Sequence, residues 1–306
     1  MVIFIVASGF YSCEKDLEID IPSGTEDIIV YGFIEQGQFP VVMLTKSIPI
    51  FESTNLTAFA NSFVRGASIQ LYDGVNTILL KEFPVSDLKN EPFVRAMGIE
   101  APDDVVIPIY FYYPDSADRQ ANKLRGVVGR SYELLVSAEG KTLTASTIIP
   151  AILPLDSMWV SDHPDIDKYP ELVRLWVAYA DPGATQDFIR YFTQQNSQPF
   201  FPGYFQSVFS DELLNGQRLE FPLDKGQTFE PDTFQTYGYF KRGDTIIIRW
   251  ASIDKDHFDF WKTLETDKVS AGSPFGTPTK IKTNIEGGLG IWGGYGTYYD
   301  TLMVPK

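Results

Sequence analysis

The sequence predicts a mainly β protein in two sandwich-like halves, the second carrying one α-helix, and three observations lead there. The 306 residues include 20 prolines and 24 glycines spread along the chain, so the stretches between turn formers are short. The 16 Tyr and 23 Phe join Val, Ile and Thr in runs that alternate apolar with polar, the period of a half-buried strand. Only residues near 253–266 show helical spacing over a useful length. At 44% hydrophobic and 14% aromatic residues the chain can bury a core, which excludes disorder, and its length suits two domains of ordinary size. We divide it into an apolar leader at 1–13, an acidic tether at 14–24, a first sandwich at 25–149 and a β-rich second domain at 150–306.

In the first half, residues 27–34 and 41–46 read as strands joined by the loop Gln36-Gly37-Gln38-Phe39-Pro40. Residues 67–72 alternate cleanly, Asp73-Gly74 turns the chain, and residues 77–83 return as the second arm of a hairpin. Residues 84–106 lack a period and read as a long loop. The run 106–112 contains Pro108, which removes a ladder donor and suggests a sheet edge. Residues 129–136 open with Gly129 and place Tyr132 at the head of an alternating strand; residues 143–148 follow. That placement resembles the tyrosine corner of immunoglobulin-like and fibronectin-type sandwiches, in which the hydroxyl bonds back to the preceding loop. The alternative is an ordinary core tyrosine. The half should contain about seven strands.

Pro150 and Pro154 stiffen the stretch between the halves. Beyond it, residues 157–160 and 172–179 read as strands, Asp181-Pro182-Gly183 ends the latter, and 188–192 is its expected partner. Residues 195–240 mix aromatics with Pro and Gly and give no clear strand limits, whereas 245–250 is a confident strand after the Arg242-Gly243-Asp244 turn. In the helix, Ser252 can cap, Asp254 and Asp256 place negative charge near the N-terminus, and Phe258, Trp261 and Leu264 share a face. The chain closes with a glycine-rich stretch at 284–295, expected as a loop packed tightly beside the helix and exposing Trp292 and Tyr295 for contact with a ligand or partner, then a last strand at 298–304.

The chemistry the sequence offers is sparse. Gly288-Leu289-Gly290-Ile291-Trp292-Gly293 spells a dinucleotide fingerprint, but too few residues remain for the βαβ unit that the motif needs. Two histidines and one cysteine leave little for nucleophilic catalysis, and no nucleophile-elbow, zincin or phosphate-loop motif occurs. His257, in the first helical turn among Asp254, Asp256 and Asp259, reads as a surface residue. Asp162, His163, Asp165 and Asp167, with Glu171, form an acidic loop able to hold a hard cation through oxygen ligands; it lacks the glycine and spacing of an EF-hand loop, and a solvated turn is the competing reading. No cofactor is indicated. A net charge of −15 opposes a phosphate backbone, so nucleic acid is excluded as a partner.

The N-terminus carries the localisation. Residues 1–7 are an apolar run too short to span a bilayer, and the sole cysteine, Cys13, stands where the run gives way to charge. The arrangement resembles a bacterial lipoprotein signal cut before an acylated cysteine, departing from the usual pattern at Phe10 and Tyr11. Glu14, Lys15 and Asp16 resemble the export signal that sends Bacteroidota lipoproteins to the outer leaflet, where acyl chains supply about 0.8 kcal/mol of anchoring per buried CH2. With residues 132–136 leading into Thr147-Ile148-Ile149-Pro150, the Ala180-Asp181-Pro182 turn, and above all the glycine motif at 284–294, the chain resembles the Bacteroidota lipoproteins grouped as domain of unknown function 4249. The resemblance implies no catalytic residue. It implies a lipoprotein held on the extracellular side of the outer membrane, often beside a TonB-dependent β-barrel transporter. The expectation is therefore a non-enzymatic accessory or ligand-binding subunit of such a transporter; the alternatives are an autonomous glycan-binding or adhesive module and a surface hydrolase using a carboxylate pair.

Overall fold

The computed structural model describes residues 26–47, 56–97, 99, 108–183, 185–212, 216–227, 233, 235–270 and 279–306. Cys13, Glu14, Lys15 and Asp16 lie outside them. The fold is mainly β. Its strands are β1 (Ile28–Glu35), β2 (Val41–Lys46), β3 (Ser68–Tyr72), β4 (Thr77–Pro84), β5 (Tyr110–Tyr113), β6 (Ser131–Ala138), β7 (Lys141–Ile148), β8 (Ser157–Asp162), β9 (Leu172–Ala180), β10 (Phe188–Gln195), β11 (Phe201–Pro202), β12 (Val208–Ser210), β13 (Arg218–Leu223), β14 (Phe240–Lys241), β15 (Thr245–Ile253) and β16 (Leu289–Met303). Three short helices, α1 (Leu56–Asn61), α2 (Pro92–Ala96) and α3 (Ser116–Gln120), accompany one long one, α4 (Lys255–Ser270). No described helix is long and apolar enough to cross a membrane.

A twelve-strand mixed sheet runs β11-β10-β15-β16-β1-β2-β5-β4-β3-β6-β7, with β12 also on β10, and a four-strand sheet joins β13, β14 and β8 to β9. The large sheet is mixed because β1 pairs in parallel with β16, with Gly32 opposite Trp292. Its far end returns: Thr144 of β7 forms an antiparallel bridge with Glu286, and the Thr147 hydroxyl accepts from the Gly294 amide at 2.8 Å. The curl encloses a core of Ile28, Val30, Leu44, Leu71, Tyr112, Tyr132, Val136 and Trp292. At its rim Tyr132 accepts from the Val127 amide at 2.8 Å and donates to the Arg125 carbonyl at 3.1 Å, the back-bonding expected of a corner tyrosine.

Several local expectations change. Strand β5 lies between β2 and β4, not at an edge; Pro108 precedes the strand and takes nothing from its ladder. Its unbroken aromatic run is explained by burial on both sides. Tyr112 faces the first core, while Phe111 and Tyr113 meet Phe39, Val85, Leu88 and Val94. Apart from Phe39 of the β1–β2 connection, those partners come from a 3-10 turn at Val85–Leu88 and from α2, so the stretch expected as a plain loop covers the back of the sheet.

In the second half the four-strand sheet packs Val173, Leu175, Val177 and Tyr179 against Ile189, Tyr191, Ile246, Ile248 and Trp250 of the large one. Helix α4 covers the opposite face with Phe258, over Phe188, Phe192, Ala251 and Tyr295. The result is three layers. Strand β10 is not the partner of β9: it pairs with β15, β12 and β11, and β9 with β13, β8 and β14. The Asp181 carboxylate accepts the amides of Gly183 and Gly216 and so fastens the end of β9 to the start of the β13 arm. The helix cap is Asp254, whose Oδ1 accepts the His257 amide at 2.9 Å; Ser252 remains within β15.

The glycine stretch is not a loop. Leu289–Met303 is one strand of 15 residues between β1 and β15. Its glycines serve close approach: a methyl at Gly293 would strike the His257 ring on α4, and one at Gly294 or Gly296 would strike the carbonyls of Ile148 or Pro150. Tight packing beside the helix is as expected, with a strand performing it.

Candidate functional site

A cavity of about 400 Å3 opens at the edge of the layer between the two sheets. Its walls are aromatic: Tyr179, Phe209, Phe221 and Trp250 surround it, with Trp250 5.9 Å from Tyr179 and 6.4 Å from Phe209, centroid to centroid. Strand geometry sets this arrangement. Tyr179 and Trp250 are core-facing positions of β9 and β15, and Phe209 comes from β12, which pairs alongside β10. Asp187 and Asp211 also line the cavity.

Those two carboxylates converge with Asp181, so that one ligand oxygen from each lies within 4.8 Å of the others. Asp181 follows β9, Asp187 precedes β10 and Asp211 follows β12; the Asp211 amide donates to the Asp187 carbonyl at 3.3 Å and holds the last two together. Asp181 is satisfied by the Tyr179 hydroxyl at 3.1 Å and by its two glycine amides. Asp187 accepts the Thr185 hydroxyl through Oδ1, and its Oδ2 has no hydrogen-bond partner among the described residues. Asp211 is only 4% exposed, and neither carboxylate oxygen has a partner among the described residues. Burial pushes the Asp187 carboxyl above its usual range, and the charges of Asp181 and Asp211 push the same way against the Thr185 hydrogen bond. Burial also raises Asp211, with the Asp181 charge adding to it and the nearby Asp187 backbone opposing. Such a site favours a bound cation or a retained proton.

The residues chosen from sequence sit elsewhere. Trp292 is 0% exposed, on the core side of β16, and its Nε1 donates to the Tyr132 carbonyl at 3.0 Å. Tyr295 is 3% exposed beneath α4, where its hydroxyl accepts from Arg190 at 2.9 Å. Neither ring is a surface contact; glycines beside them admit neighbours and do not expose them. His257 is also buried, not at the surface. Burial, then the charges of Arg190 and Arg249, hold its pKa well below the usual histidine value, with the Gly294 backbone opposing. Around it runs a balanced ionic layer: Arg190 stacks 3.3 Å over Trp261, Glu265 accepts the Ser207 amide and hydroxyl, and Arg249 pairs with Glu35 at 2.7 Å.

The acidic loop does not converge on a point. The His163 Nε2 bonds the Gln235 carbonyl at 2.9 Å and its Nδ1 accepts the Asp165 amide, while Asp162 pairs with Arg242. Among the described residues, the carboxylates that do converge are Asp181, Asp187 and Asp211. Sequence reasoning missed them because they span thirty positions and meet only through the β10–β12 pairing. The one local sign was Asp181 in its turn, taken there as a strand end.

A second hollow, of about 780 Å3, lies over β3, β6 and β7 and is lined by Gln70, Glu133, Thr144, Asn284 and Glu286. It is broad and polar, and Thr144 and Glu286 already bond each other across it at 3.1 Å. The aromatic cavity with unpartnered carboxylates is the better-built site.

The family model for a domain of unknown function (DUF4249) matches residues 14–299. The chain belongs to the DUF4249 family. The DUF4249 match begins at the residue after Cys13 and ends within β16, so it spans both sheets and the cavity between them. No curated protein matches the chain.

Proposed function

We propose that this DUF4249 protein is a non-enzymatic surface lipoprotein of the outer membrane, serving as a ligand-binding accessory subunit of a TonB-dependent transporter. The observation that carries the reading is the start of the family match at residue 14, directly behind the sole cysteine. A domain beginning there is in keeping with Cys13 as the first mature residue and Glu14, Lys15 and Asp16 as its surface-export signal. The seven strands β1–β7 curl as part of the one large sheet, and the Tyr132 corner supports reading that curl as immunoglobulin-like. The second half supplies the ligand seat, the aromatic cavity at the edge of its two sheets. A binding role is supported over histidine-dependent hydrolysis because both histidines are committed: His257 packs on Gly293 and His163 is bonded within its own loop.

The test is affinity purification of the native protein from mildly solubilised outer membrane through a C-terminal tag, with mass spectrometry of what accompanies it. A stoichiometric β-barrel transporter is expected, and the Cys13→Ser variant should leave the membrane fraction. A wild-type protein that purifies without a barrel overturns the accessory role; a Cys13→Ser protein that stays in the membrane overturns the anchor.

A further inference from the structure

We infer that Asp181, Asp187 and Asp211 form a Ca2+ site that ties the turn after β9 to the β10–β12 strand pair. This stands apart from the transporter reading, since a cation site can exist whatever the protein associates with. The first ground is convergence: three carboxylates from three segments bring one oxygen each within 4.8 Å of the others. The second, independent of it, is Asp211, whose two carboxylate oxygens are buried at the cluster with no hydrogen-bond partner among the described residues. A buried, unpartnered carboxylate is strongly unfavourable unless a cation or a proton meets it. The charges that act most strongly on Asp187 are those of Asp181 and Asp211, which repel it.

The ligand chemistry selects the ion. All-oxygen carboxylate sets suit hard cations, and the set contains neither thiolate nor imidazole. Oxygens within 4.8 Å of one another are close enough to share one ion, and Ca2+ accepts irregular oxygen sets where Mg2+ demands near-ideal octahedral geometry. Asp181 is positioned by its bonds from Tyr179, Gly183 and Gly216 and keeps lone pairs for a metal. Asp187 Oδ2 and both oxygens of Asp211 are free to coordinate. Asp187 is only partly buried, which leaves a path for the ion.

The experiment is calorimetric titration of the purified full-length protein with Ca2+, together with thermal unfolding in Ca2+ at about 1 mM, the range of extracellular Ca2+ modules, and in EGTA. One ion per chain and an unfolding temperature raised by Ca2+ are expected, with a weaker response to Mg2+. Asp211→Asn and Asp187→Asn should lower Ca2+ affinity by at least about tenfold, as even outer-shell losses do at metal sites. Both variants should match or exceed wild-type stability in EGTA, because each relieves repulsion; that readout separates loss of the ion from loss of the fold. Glu220→Gln, in the same cavity wall but outside the triad, should keep the Ca2+ response. Wild-type protein with equal unfolding temperature in Ca2+ and EGTA overturns the site, as does an undiminished response in the two Asp variants. Stabilisation by tetramethylammonium in place of Ca2+ would also overturn it, assigning the carboxylates to an organic cation held by the aromatic walls.

Discussion

Replacing Glu35 by Gln should cost far more stability than removing an ordinary hydrogen bond. Glu35 ends β1 and Arg249 lies in β15, with β16 between them, and their side chains are each only 11% exposed at an Nη2–Oε2 distance of 2.7 Å. The second carboxylate oxygen accepts the Tyr299 hydroxyl at 2.9 Å. The Arg249 guanidinium lies 4.6 Å from both the Phe192 and Tyr295 rings, and Arg190 sits 4.6 Å from that same Phe192 ring. Glutamine keeps the volume, and its amide oxygen can accept from Arg249 while its NH2 donates to the Tyr299 hydroxyl. It leaves a guanidinium buried beside a second one without its counter-charge. Breaking one partner of a buried pair costs about 3–5 kcal/mol, against a neutral hydrogen bond's net of about 1 kcal/mol. Arg249→Met should cost a similar amount by stranding Glu35. The double variant should lose about 1–2 kcal/mol at most, because a buried ion pair repays little more than its desolvation. Guanidinium unfolding of the four proteins, with the slope checked for constancy, gives the coupling energy, expected to be at least about 2 kcal/mol. If Glu35→Gln costs under about 1 kcal/mol, or the two single losses simply add, the ion pair is solvated and the reasoning fails.

Trp292→Ala should destabilise by about 3–5 kcal/mol and Trp292→Phe by clearly less, since only the first empties the core as well as unpairing the Tyr132 carbonyl; denaturant midpoints check this, and a change within about 0.5 kcal/mol would return Trp292 to the surface. His257 makes stability fall on acidification: its folded pKa lies below the ordinary 6.5, so the unfolded chain binds more protons below that value and stability rises with pH there. His257→Gln should flatten the slope below about pH 6.5 by up to about 1.4 kcal/mol per pH unit, measured as the difference from wild type. Asp187, Asp211, Asp254 and Glu265, all raised, act with the opposite sign in both proteins, so that difference isolates the histidine.

Local pattern carried much of the fold. The limits of β2, the β3–β4 hairpin across Asp73-Gly74 and the corner tyrosine were legible because turn residues and alternation act within a few positions. Helix α4 was legible too, though its cap was displaced by two residues, since both Ser252 and Asp254 have capping side chains and only the β15 ladder decides between them. What stayed hidden depends on partners far along the chain. Nothing near residue 188 says that β10 belongs with β15 and not β9. Trp292 looks exposed beside so many glycines until β1 is laid against it, and the aspartate triad exists only once β12 has paired. The carboxylates picked from sequence were adjacent in the chain; those that converge are adjacent in space.

Strand β16 lies far along the chain from β1, yet it lines three of the four apolar clusters of the described residues, through Trp292, Tyr295 and the partly buried Tyr298 and Leu302. A ribosome delivers β1 long before the strand that must lie parallel to it, so neither half can be sealed as it emerges. Sequential folding of an N-terminal unit, the usual refuge of long chains, is closed to this topology, and pairing across so large a sequence separation is slow. The same delay exposes the β-rich early segments to aggregation, which makes the interval between synthesis and arrival of β16 the vulnerable period in this protein's life.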